Sequence, residues 1–309
     1  MIHRLAPQPA LENVRLDGSV CMVTGVTSGH GRAVAGWLAR LGADVVLLGR
    51  SEPRCLDVQR EIKRQSGRSP EILLCDLASR AAIDRAATLW LEQGRPLHLL
   101  VNNAGLVNLR RLETVDGVEM TFGVNYLAQF QLTLRLLPRL VQSAQSVPGA
   151  QVRVVNVSSD MHRIVRLKLD DLEHRRRYTL MGAYGRSKRA IVHFTVELAR
   201  RLAECGVTAN AVDPGPVESR IGQNNPGLAA DLLTLVMRHG FPEADWAART
   251  AVWLAAAPDL ARSSGAYYKY GRQRPVEIDP SVGERLWQIS ARMTGVDWPQ
   301  GSCQPGQWV

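Results

Sequence analysis

Short apolar runs rich in β-branched residues alternate along this chain with longer stretches of helical periodicity. Continuously apolar strands are buried on both faces, and strands joined through helices run parallel, so the pattern predicts a parallel sheet covered on both sides. The predicted strands are Val20–Thr24, Val45–Leu48, Ile72–Cys75, Leu97–Val101, Val152–Val157, Thr208–Val212 and Ala266–Tyr268. The predicted helices span residues 31–41, 54–65, 79–92, 117–141, 184–204 and 244–256.

This order of elements predicts an α/β fold, a doubly wound parallel sheet of the Rossmann type in a single domain. With 309 residues, 45% of them hydrophobic, the chain can bury a full core. We expect an N-terminal extension at 1–15, the domain at 16–295 and a tail at 296–309 rich in Pro, Gly and Gln. The Pro-, Gly- and Asn-rich stretch at 213–227 interrupts the alternation, and we expect a substrate loop at 216–240.

The chain is basic, with 38 Lys and Arg against 29 Asp and Glu and a formal net charge of +9. A basic balance can indicate nucleic acid, an anionic membrane or an anionic small molecule, but a solvated arginine-rich surface also explains it. The longest basic cluster, Arg175 to Arg177, has no interleaved aromatic residues, so we expect no nucleic-acid partner. The seven histidines show no metal-ligand spacing, so no metal site is predicted.

Cysteine usage and hydropathy predict a cytoplasmic protein. The five cysteines form no C-x-x-C pair and their number is odd, which argues against a disulfide framework and favours a reducing compartment. The first eighteen residues contain no apolar signal-peptide core, and no stretch approaches eighteen uninterrupted apolar residues. We therefore expect no integral membrane segment.

A glycine-rich turn follows the first predicted strand and opens the first predicted helix. Glycines at such a turn let the backbone approach a pyrophosphate, which lies on the positive end of the helix. The spacing here is G-x-x-x-G-x-G, and a plain tight turn is the alternative explanation. The position directly after the first strand favours a nucleotide-binding loop formed by Gly25, Thr27, Ser28, Gly29, His30 and Gly31.

The end of the second strand predicts which nucleotide is bound. A carboxylate at this position accepts hydrogen bonds from a ribose 2′-OH, whereas an arginine accommodates a 2′-phosphate. Gly49 and Arg50 stand where the carboxylate would be expected. A surface arginine near a turn is the alternative, but the residues favour NADP(H) over NAD(H).

Two further strand ends carry candidate cofactor residues. Asp76 and Leu77 follow the third strand, where an aspartate either receives the adenine amino group or caps the next helix. The fourth strand leads into an Asn-Asn-Ala-Gly sequence in which small and amide residues leave room for a ribose, although it also reads as a turn. Asn103, Ala104 and Gly105 are therefore candidate cofactor contacts.

Tyr184 and Lys188 suggest proton chemistry. Residues four apart share one helix face, so the phenol and the ammonium lie side by side. A tyrosine with a pKa near 10 is a poor acid–base group at neutral pH, and a fixed cation lowers that pKa towards the working range. The Y-x-x-x-K spacing alone is common by chance, but a strand ending in Ser158-Ser159 precedes it.

Taken in order, these motifs resemble the short-chain dehydrogenase/reductase family over roughly residues 16–275. The motifs are Thr24–Gly31, Asn102–Gly105, Asn125, Ser159, Tyr184 with Lys188, and Pro214-Gly215. Within the family the chain looks closest to the retinol dehydrogenase-like group. This resemblance rests on Gly123–Leu127, Val154–Ser159, Glu197–Leu202 and the long separation between the serine and the tyrosine.

The resemblance implies a role for each matching residue. Tyr184 would be the acid in carbonyl reduction and the base in alcohol oxidation. Lys188 would hold the nicotinamide ribose and lower the tyrosine pKa. Ser159, the second serine of its pair, would hydrogen-bond the substrate oxygen. Asn125 would hold a water that connects Lys188 to solvent. His30 stands where the family usually has an aliphatic residue, and it either touches the cofactor or is a tolerated substitution at the rim.

The resemblance also places Pro214 and Gly215 beside the nicotinamide, with the substrate loop closing over the substrate. The apolar residues of 228–237 favour a lipophilic ketone or aldehyde if they line the pocket, and core packing is the alternative. Arg163, Arg166 and Lys168 would instead favour an acidic substrate or carrier protein. The family's paired helices imply a homodimer or homotetramer, with the helix of Asn125 and the helix 184–204 as candidate interface elements.

The predicted activity is NADP(H)-dependent interconversion of a small-molecule carbonyl and an alcohol. A non-catalytic NADP(H)-binding sensor or scaffold is the alternative, because a fold does not fix a function. A light-dependent double-bond reductase is a third possibility, which the lack of a cysteine near Tyr184 disfavours.

Overall fold

The computed structural model describes residues 8–11, 14–146, 149–217 and 243–299, and within them the chain forms one eight-stranded sheet. The strand order is β3-β2-β1-β4-β5-β6-β7-β8. Neighbouring strands run parallel except for β7 and β8, which are antiparallel. The strands are β1 (Val20–Thr24), β2 (Asp44–Gly49), β3 (Glu71–Leu74), β4 (Leu99–Asn102), β5 (Val152–Val157), β6 (Val207–Asp213), β7 (Tyr267–Lys269) and β8 (Arg272–Arg274).

Helices cover both faces of the sheet, which confirms the predicted doubly wound fold. They are α1 (Gly29–Arg40), α2 (Glu52–Ser66), α3 (Arg80–Glu92), α4 (Met120–Phe122), α5 (Ala128–Ser146), α6 (Leu180–Arg201), α7 (Ala244–Ala256) and α8 (Pro280–Thr294). A π-helical turn, Gly123–Leu127, joins α4 to α5 where one continuous helix was predicted. Helix α6 begins four residues before the predicted start, because Thr179 caps it by accepting a hydrogen bond from Gly182.

Each face of the sheet has its own apolar core. On one face α3, α5, α6 and α8 pack together, with Trp90, Phe130 and Phe194 fully buried. On the other face α1, α2 and α7 pack against the alternate strand residues. The strands are buried on both sides, which explains why their sequences are continuously apolar.

Helix α8 and strand β8 were not predicted from the sequence. Asp279 caps α8 by accepting a hydrogen bond from Ser281, and Pro280 occupies the first turn. The buried residues of α8 recur at helical spacing, so the sequence signal for this helix was present. Strand β8 is the exposed sequence Arg-Gln-Arg, which carries no apolar pattern to reveal it.

The strand order places a candidate ligand site at one edge of the sheet. The chain runs outwards from β1 to β3 on one side and from β4 onwards on the other. In such sheets ligands bind at the carboxyl ends of the strands where the order reverses, because the loops there diverge. Here that point lies between the ends of β1 and β4.

The sequence also led to predictions about the cysteines, membrane-spanning segments, cellular location and domain boundaries. Cys21, Cys55 and Cys75 are free thiols, whereas Cys205 is disulfide-bonded, a bond that the argument against a disulfide framework did not foresee. No helix among the described residues is long and apolar enough to span a membrane. The cytoplasmic location and the domain boundaries remain predictions. Residues 218–240 of the substrate loop, which include the apolar residues of 228–237, lie outside the described residues, as do parts of both ends.

Candidate active site

The glycine loop makes a tight turn between β1 and α1. Gly25 and Gly29 have φ angles of +69° and +52°, in the left-handed region that favours glycine. A Cβ atom at Gly31 would overlap the side chain of Asn103 and the carbonyl oxygen of Gly25. The loop therefore folds tightly against the turn that follows β4, because Gly25 and Gly31, which abut that turn, have no side chain.

The amino end of α1 suits an anionic group. Ser28 occupies the N-cap position with an extended backbone, and its hydroxyl does not cap the helix. The first helical turn has no acidic side chain, so nothing there competes with a phosphate for the positive end of the helix. Thr27 and Ser28 are partly exposed at this end. These features fit the pyrophosphate of a dinucleotide.

Asn103 ties the glycine loop to the end of β4. Its Nδ2 donates to the carbonyl oxygen of Thr24 at 2.8 Å, and its Oδ1 lies 2.8 Å from Nδ1 of His30. Because the amide oxygen can only accept, Nδ1 of His30 carries the proton. The backbone N–H groups of Asn103 and Ala104 both donate to Oγ1 of Thr24 at 2.9 Å.

The buried His30 therefore contacts protein on its Nδ1 side. It is 7% exposed, and burial lowers its pKa below the ordinary value, which favours a neutral ring. Its interaction with the backbone of Ala247 places it against α7. The geometry supports a role in holding the loop and leaves direct cofactor contact as a prediction.

Candidate adenosine-binding residues lie at the ends of β2 and β3, which are adjacent strands. Arg50 is exposed directly after Gly49, and no carboxylate stands at this strand end. Asp76 is also exposed, and its Oδ1 accepts a hydrogen bond from the N–H of Ala78 at 3.0 Å, so the aspartate does organise the next turn. Leu77 is half-buried.

Tyr184 and Lys188 face each other on α6, with Nζ of Lys188 5.5 Å from the centroid of the tyrosine ring. Lys188 is 3% exposed, and its Nζ donates to the carbonyl oxygen of Val157 at 2.9 Å. Burial lowers the pKa of Lys188 to about 8, although the charge of Asp213 opposes this shift. The ammonium therefore titrates close to the neutral range.

The pKa of Tyr184 differs from the sequence-based expectation. Burial is the largest influence and raises the pKa above its ordinary value, and the negative charge of Asp213 raises it further. A hydrogen-bonding interaction with Ser159 lowers it in part. The expected lowering by Lys188 is therefore outweighed, because removing a phenolate from water costs more than the nearby groups restore.

The structure separates the two serines at the end of β5. Oγ of Ser158 is buried and donates to the carbonyl oxygen of Lys188 at 2.9 Å, so it holds α6 to the strand. Ser159 is partly exposed and interacts with the phenol of Tyr184. Its Oγ also accepts a hydrogen bond from Met161 N–H at 3.3 Å. Only Ser159 therefore lies beside the tyrosine hydroxyl.

Asn125 lies in the π-helical turn and is fully buried. Its Oδ1 accepts from the N–H of Leu106 at 2.8 Å, and its Nδ2 donates to the carbonyl oxygen of Leu106 at 3.0 Å and to Oγ of Ser187 at 3.2 Å. A Cβ atom placed on Gly105 would lie 3.5 Å from Oδ1 of Asn125 and 3.6 Å from Nζ of Lys188. Gly105 therefore lies between these two side chains.

Pro214 and Gly215 follow β6 and begin the segment that leads to the substrate loop. Gly215 has a φ of +77°, and its N–H donates to Oδ1 of Asp213 at 2.8 Å. Sequence reasoning missed Asp213, which is 3% exposed and influences the pKa of both Tyr184 and Lys188. An aspartate at the end of an apolar strand, directly before Pro-Gly, was a readable signal for it.

Comparisons with known proteins agree with this arrangement. A family model described as short chain dehydrogenase matches residues 19–227. Retinol dehydrogenase 12 of Mus musculus is 37% identical over 93% of this chain and 89% of its own length. Polyprenol dehydrogenase of Homo sapiens is 38% identical over 90% of this chain and 85% of its own length.

Solved structures give the same result. A putative uncharacterized protein from Mycobacterium Paratuberculosis has a TM-score of 0.73 and 29% identity, covering 94% of this chain and 99% of that one. A Pseudomonas aeruginosa RhlG/NADP active-site complex has a TM-score of 0.66 and 26% identity, covering 87% and 98%.

The fold and these similarities define an oxidoreductase of the class that binds nicotinamide cofactors. The chain belongs to the short-chain dehydrogenase family and, within it, to the group that resembles the retinol dehydrogenases. The resemblance inferred from the sequence motifs is thereby confirmed.

Proposed function

We propose that this chain is an NADP(H)-dependent oxidoreductase that interconverts a lipophilic ketone or aldehyde and the corresponding alcohol. The observation that carries the proposal is the convergence of three groups: the phenol of Tyr184, the hydroxyl of Ser159 and the ammonium of Lys188. They lie at the carboxyl edge of the sheet, on the same edge as the glycine loop.

Tyr184 donates its proton to the carbonyl oxygen during reduction and accepts the proton of the alcohol during oxidation. The hydroxyl of Ser159 hydrogen-bonds the same substrate oxygen and stabilises the developing phenolate. Bound NADP(H) supplies or accepts the hydride. Below about pH 8 Lys188 is predominantly cationic, so it favours the phenolate form of its neighbour. The side chain of Asn125 is held by hydrogen bonds to Leu106 and Ser187. We propose that it also orders a water next to Lys188.

The proposed cofactor contacts follow the strand ends. The phosphates would lie on the loop at the amino end of α1, the 2′-phosphate at the end of β2, and the nicotinamide near the turn after β6. His30 would act by holding Asn103. The residues proposed to contact the cofactor directly are Gly25, Thr27, Ser28, Gly29, Gly31, Arg50, Asp76, Leu77, Asn103, Ala104, Gly105, Tyr184, Lys188, Pro214 and Gly215.

Two observations support a lipophilic substrate. Exposed apolar side chains lie on three segments that adjoin the site residues along the chain: the segment after β4, the segment after Ser159 and the first turn of α6. They are Leu109, Leu112, Ile164 and Met181. The names of the relatives given above also point to long apolar alcohols, retinol and polyprenol. An apolar entrance excludes water and retains such molecules.

The test is NADPH and NADH consumption against retinaldehyde, a polyprenal and a short water-soluble aldehyde. We expect turnover with NADPH in preference to NADH, and a kcat about 10²- to 10⁴-fold lower in Tyr184→Phe, because the proton donor is lost. The matched control is Tyr178→Phe, which removes a hydroxyl that donates to the carbonyl oxygen of Asn108. Its kcat should stay near that of the unmodified protein.

Equal rates for Tyr184→Phe and the unmodified protein would reject the acid–base role. Tight NADPH binding without turnover on any carbonyl would instead favour the sensor or scaffold function. A preference for NADH would overturn the role proposed for Arg50.

A further inference from the structure

Three charged residues form a cluster directly behind the proposed site. Lys269 is the last residue of β7, and in the sheet register it pairs with Asp213, the last residue of β6. Its Nζ lies 2.5 Å from Oδ2 of Asp160 and 2.9 Å from Oδ2 of Asp213. One cation therefore bridges two carboxylates from different elements, the 3₁₀ turn Asp160–Arg163 after β5 and the end of β6, and its side chain is only 18% exposed.

The cluster fixes the backbone on both sides of the proposed site. Asp160 directly follows Ser159, and its N–H donates to Oδ2 of Asp213 at 3.1 Å. The hydroxyl of Tyr267 donates to Oδ1 of Asp160 at 3.0 Å. The other oxygen of Asp213 accepts from Gly215 N–H. The two carboxylates thus hold the chain next to Ser159 and the turn after β6.

The cluster also sets the charge near Tyr184. The carboxylate of Asp213 raises the pKa of the phenol, and a buried charge is weakly screened. Although burial alone would raise the pKa of Asp160, the hydrogen bonds from Lys269, Tyr267 and Arg163 hold it at about 2, so this carboxylate stays ionised. Lys269 is the cation in contact with both carboxylates.

Other titratable or charged groups also surround this cluster. Arg163 contacts Asp160 from the other end of the 3₁₀ turn Asp160–Arg163, and the ring centroid of Tyr270 lies 5.2 Å from Nζ of Lys269. His162 packs edge-on against Tyr267, with ring centroids 4.7 Å apart. Lys188 and His30 face Asp213 from α6 and α1. The pH experiments below change only Lys269 and Asp160 and leave these groups in place.

We propose that Lys269 is a positioning residue for the Ser159–Tyr184 pair: it orders the two carboxylates that hold the neighbouring backbone, and it neutralises the negative charge next to the phenol. The inference rests on the proposed function. It adds a residue that acts through Asp160 and Asp213 and is not among the proposed substrate or cofactor contacts.

A purely structural role and a positioning role have different consequences. If Lys269 only stabilises the fold, its removal lowers the melting temperature and leaves the pH dependence of turnover unchanged. If it compensates the charge of Asp213, its removal makes the phenolate harder to form. The pKa of Tyr184 then rises, and alcohol oxidation requires a higher pH.

The first variant is Lys269→Met, which keeps the chain length and removes the charge. We expect the rising limb of the pH profile for alcohol oxidation to move up by about one pH unit, with kcat/KM about tenfold lower at neutral pH. The matched control is Arg272→Met, which removes an exposed cation from the residue that pairs with Lys269 in β8. Its pH profile should coincide with that of the unmodified protein.

The second variant, Asp160→Asn, tests the same idea with the opposite sign and does not depend on the folding of Lys269→Met. Removing one negative charge leaves the cation in excess, so the profile should move to lower pH. Lys269→Arg keeps the charge and should keep the profile. Circular dichroism of each variant establishes that it is folded.

The inference is overturned if folded Lys269→Met and Asp160→Asn both keep the unmodified pH profile while Tyr184→Phe is inactive. A failure of the proposed function looks different: no turnover in the unmodified protein, or full turnover in Tyr184→Phe. The two failures are therefore distinguishable in one set of assays.

Discussion

At the scale of single residues, two side chains of the same type can have different roles because their positions differ by a few ångströms. Ser158 and Ser159 are neighbours, but the hydroxyl of Ser158 bonds a carbonyl oxygen of α6 while that of Ser159 lies by the phenol. The sequence favoured Ser159 only through a family resemblance, because alternation along a strand does not say which residue lies beside a tyrosine from another element. The geometry supports that preference with an independent reason.

The two serines give a paired prediction. Ser159→Ala should lower kcat roughly 10²-fold, because the substrate oxygen and the phenol lose a hydrogen-bonding partner. Ser158→Ala should leave kcat within a few-fold and lower the free energy of unfolding by about 1 kcal/mol, because it removes a buried hydrogen bond. Steady-state kinetics and urea denaturation measure the two effects. Equal losses of kcat in both variants would contradict this assignment.

At the scale of elements, the apolar pattern of the sequence predicted the strands, because strand formation depends largely on local sequence. Each predicted strand is present within two residues of its predicted bounds. The Asp213–Lys269 pair was beyond sequence reasoning, because the two residues meet only through the register of β6 and β7. The pKa of Tyr184 was mispredicted for a similar reason: burial depends on the whole site, whereas the spacing to Lys188 is local. The predictions for residues 218–240 concern a part of the chain outside the described residues.

Helix α8 is the element whose contribution to stability is most directly testable. Its Trp287 is 2% exposed, with its ring centroid 5.0 Å from that of Phe130 and with the guanidinium of Arg201 4.2 Å above it. Trp287→Ala should lower the free energy of unfolding by about 3–5 kcal/mol, because it leaves a large cavity in the core. Arg285→Ala, an exposed change on the same helix, should cost less than about 0.5 kcal/mol. Similar melting curves for both variants would show that α8 packs loosely.

At the scale of the whole molecule, α8 bears on how copies of the chain associate. The family resemblance predicted a homodimer or homotetramer in which the helix of Asn125 and α6 are interface elements. In the structure α8 packs on α6, and Arg201 of α6 forms an ion pair with Glu284 of α8 at 2.8 Å. The surface that the resemblance assigned to a second copy is therefore covered in part by the same chain.

This packing predicts a monomer at micromolar concentration, in contrast to the prediction from the resemblance. The outward residues of α8 include Arg285, Gln288 and Arg292, which are exposed and polar, and two such helices would bring like charges together. Size-exclusion chromatography with light scattering should give a mass near 34.1 kDa. A mass twice or four times this value, unchanged at high salt, would establish the oligomer instead. The reversal Arg285→Glu would then locate it, because it disrupts an interface on α8 and has no effect on one elsewhere.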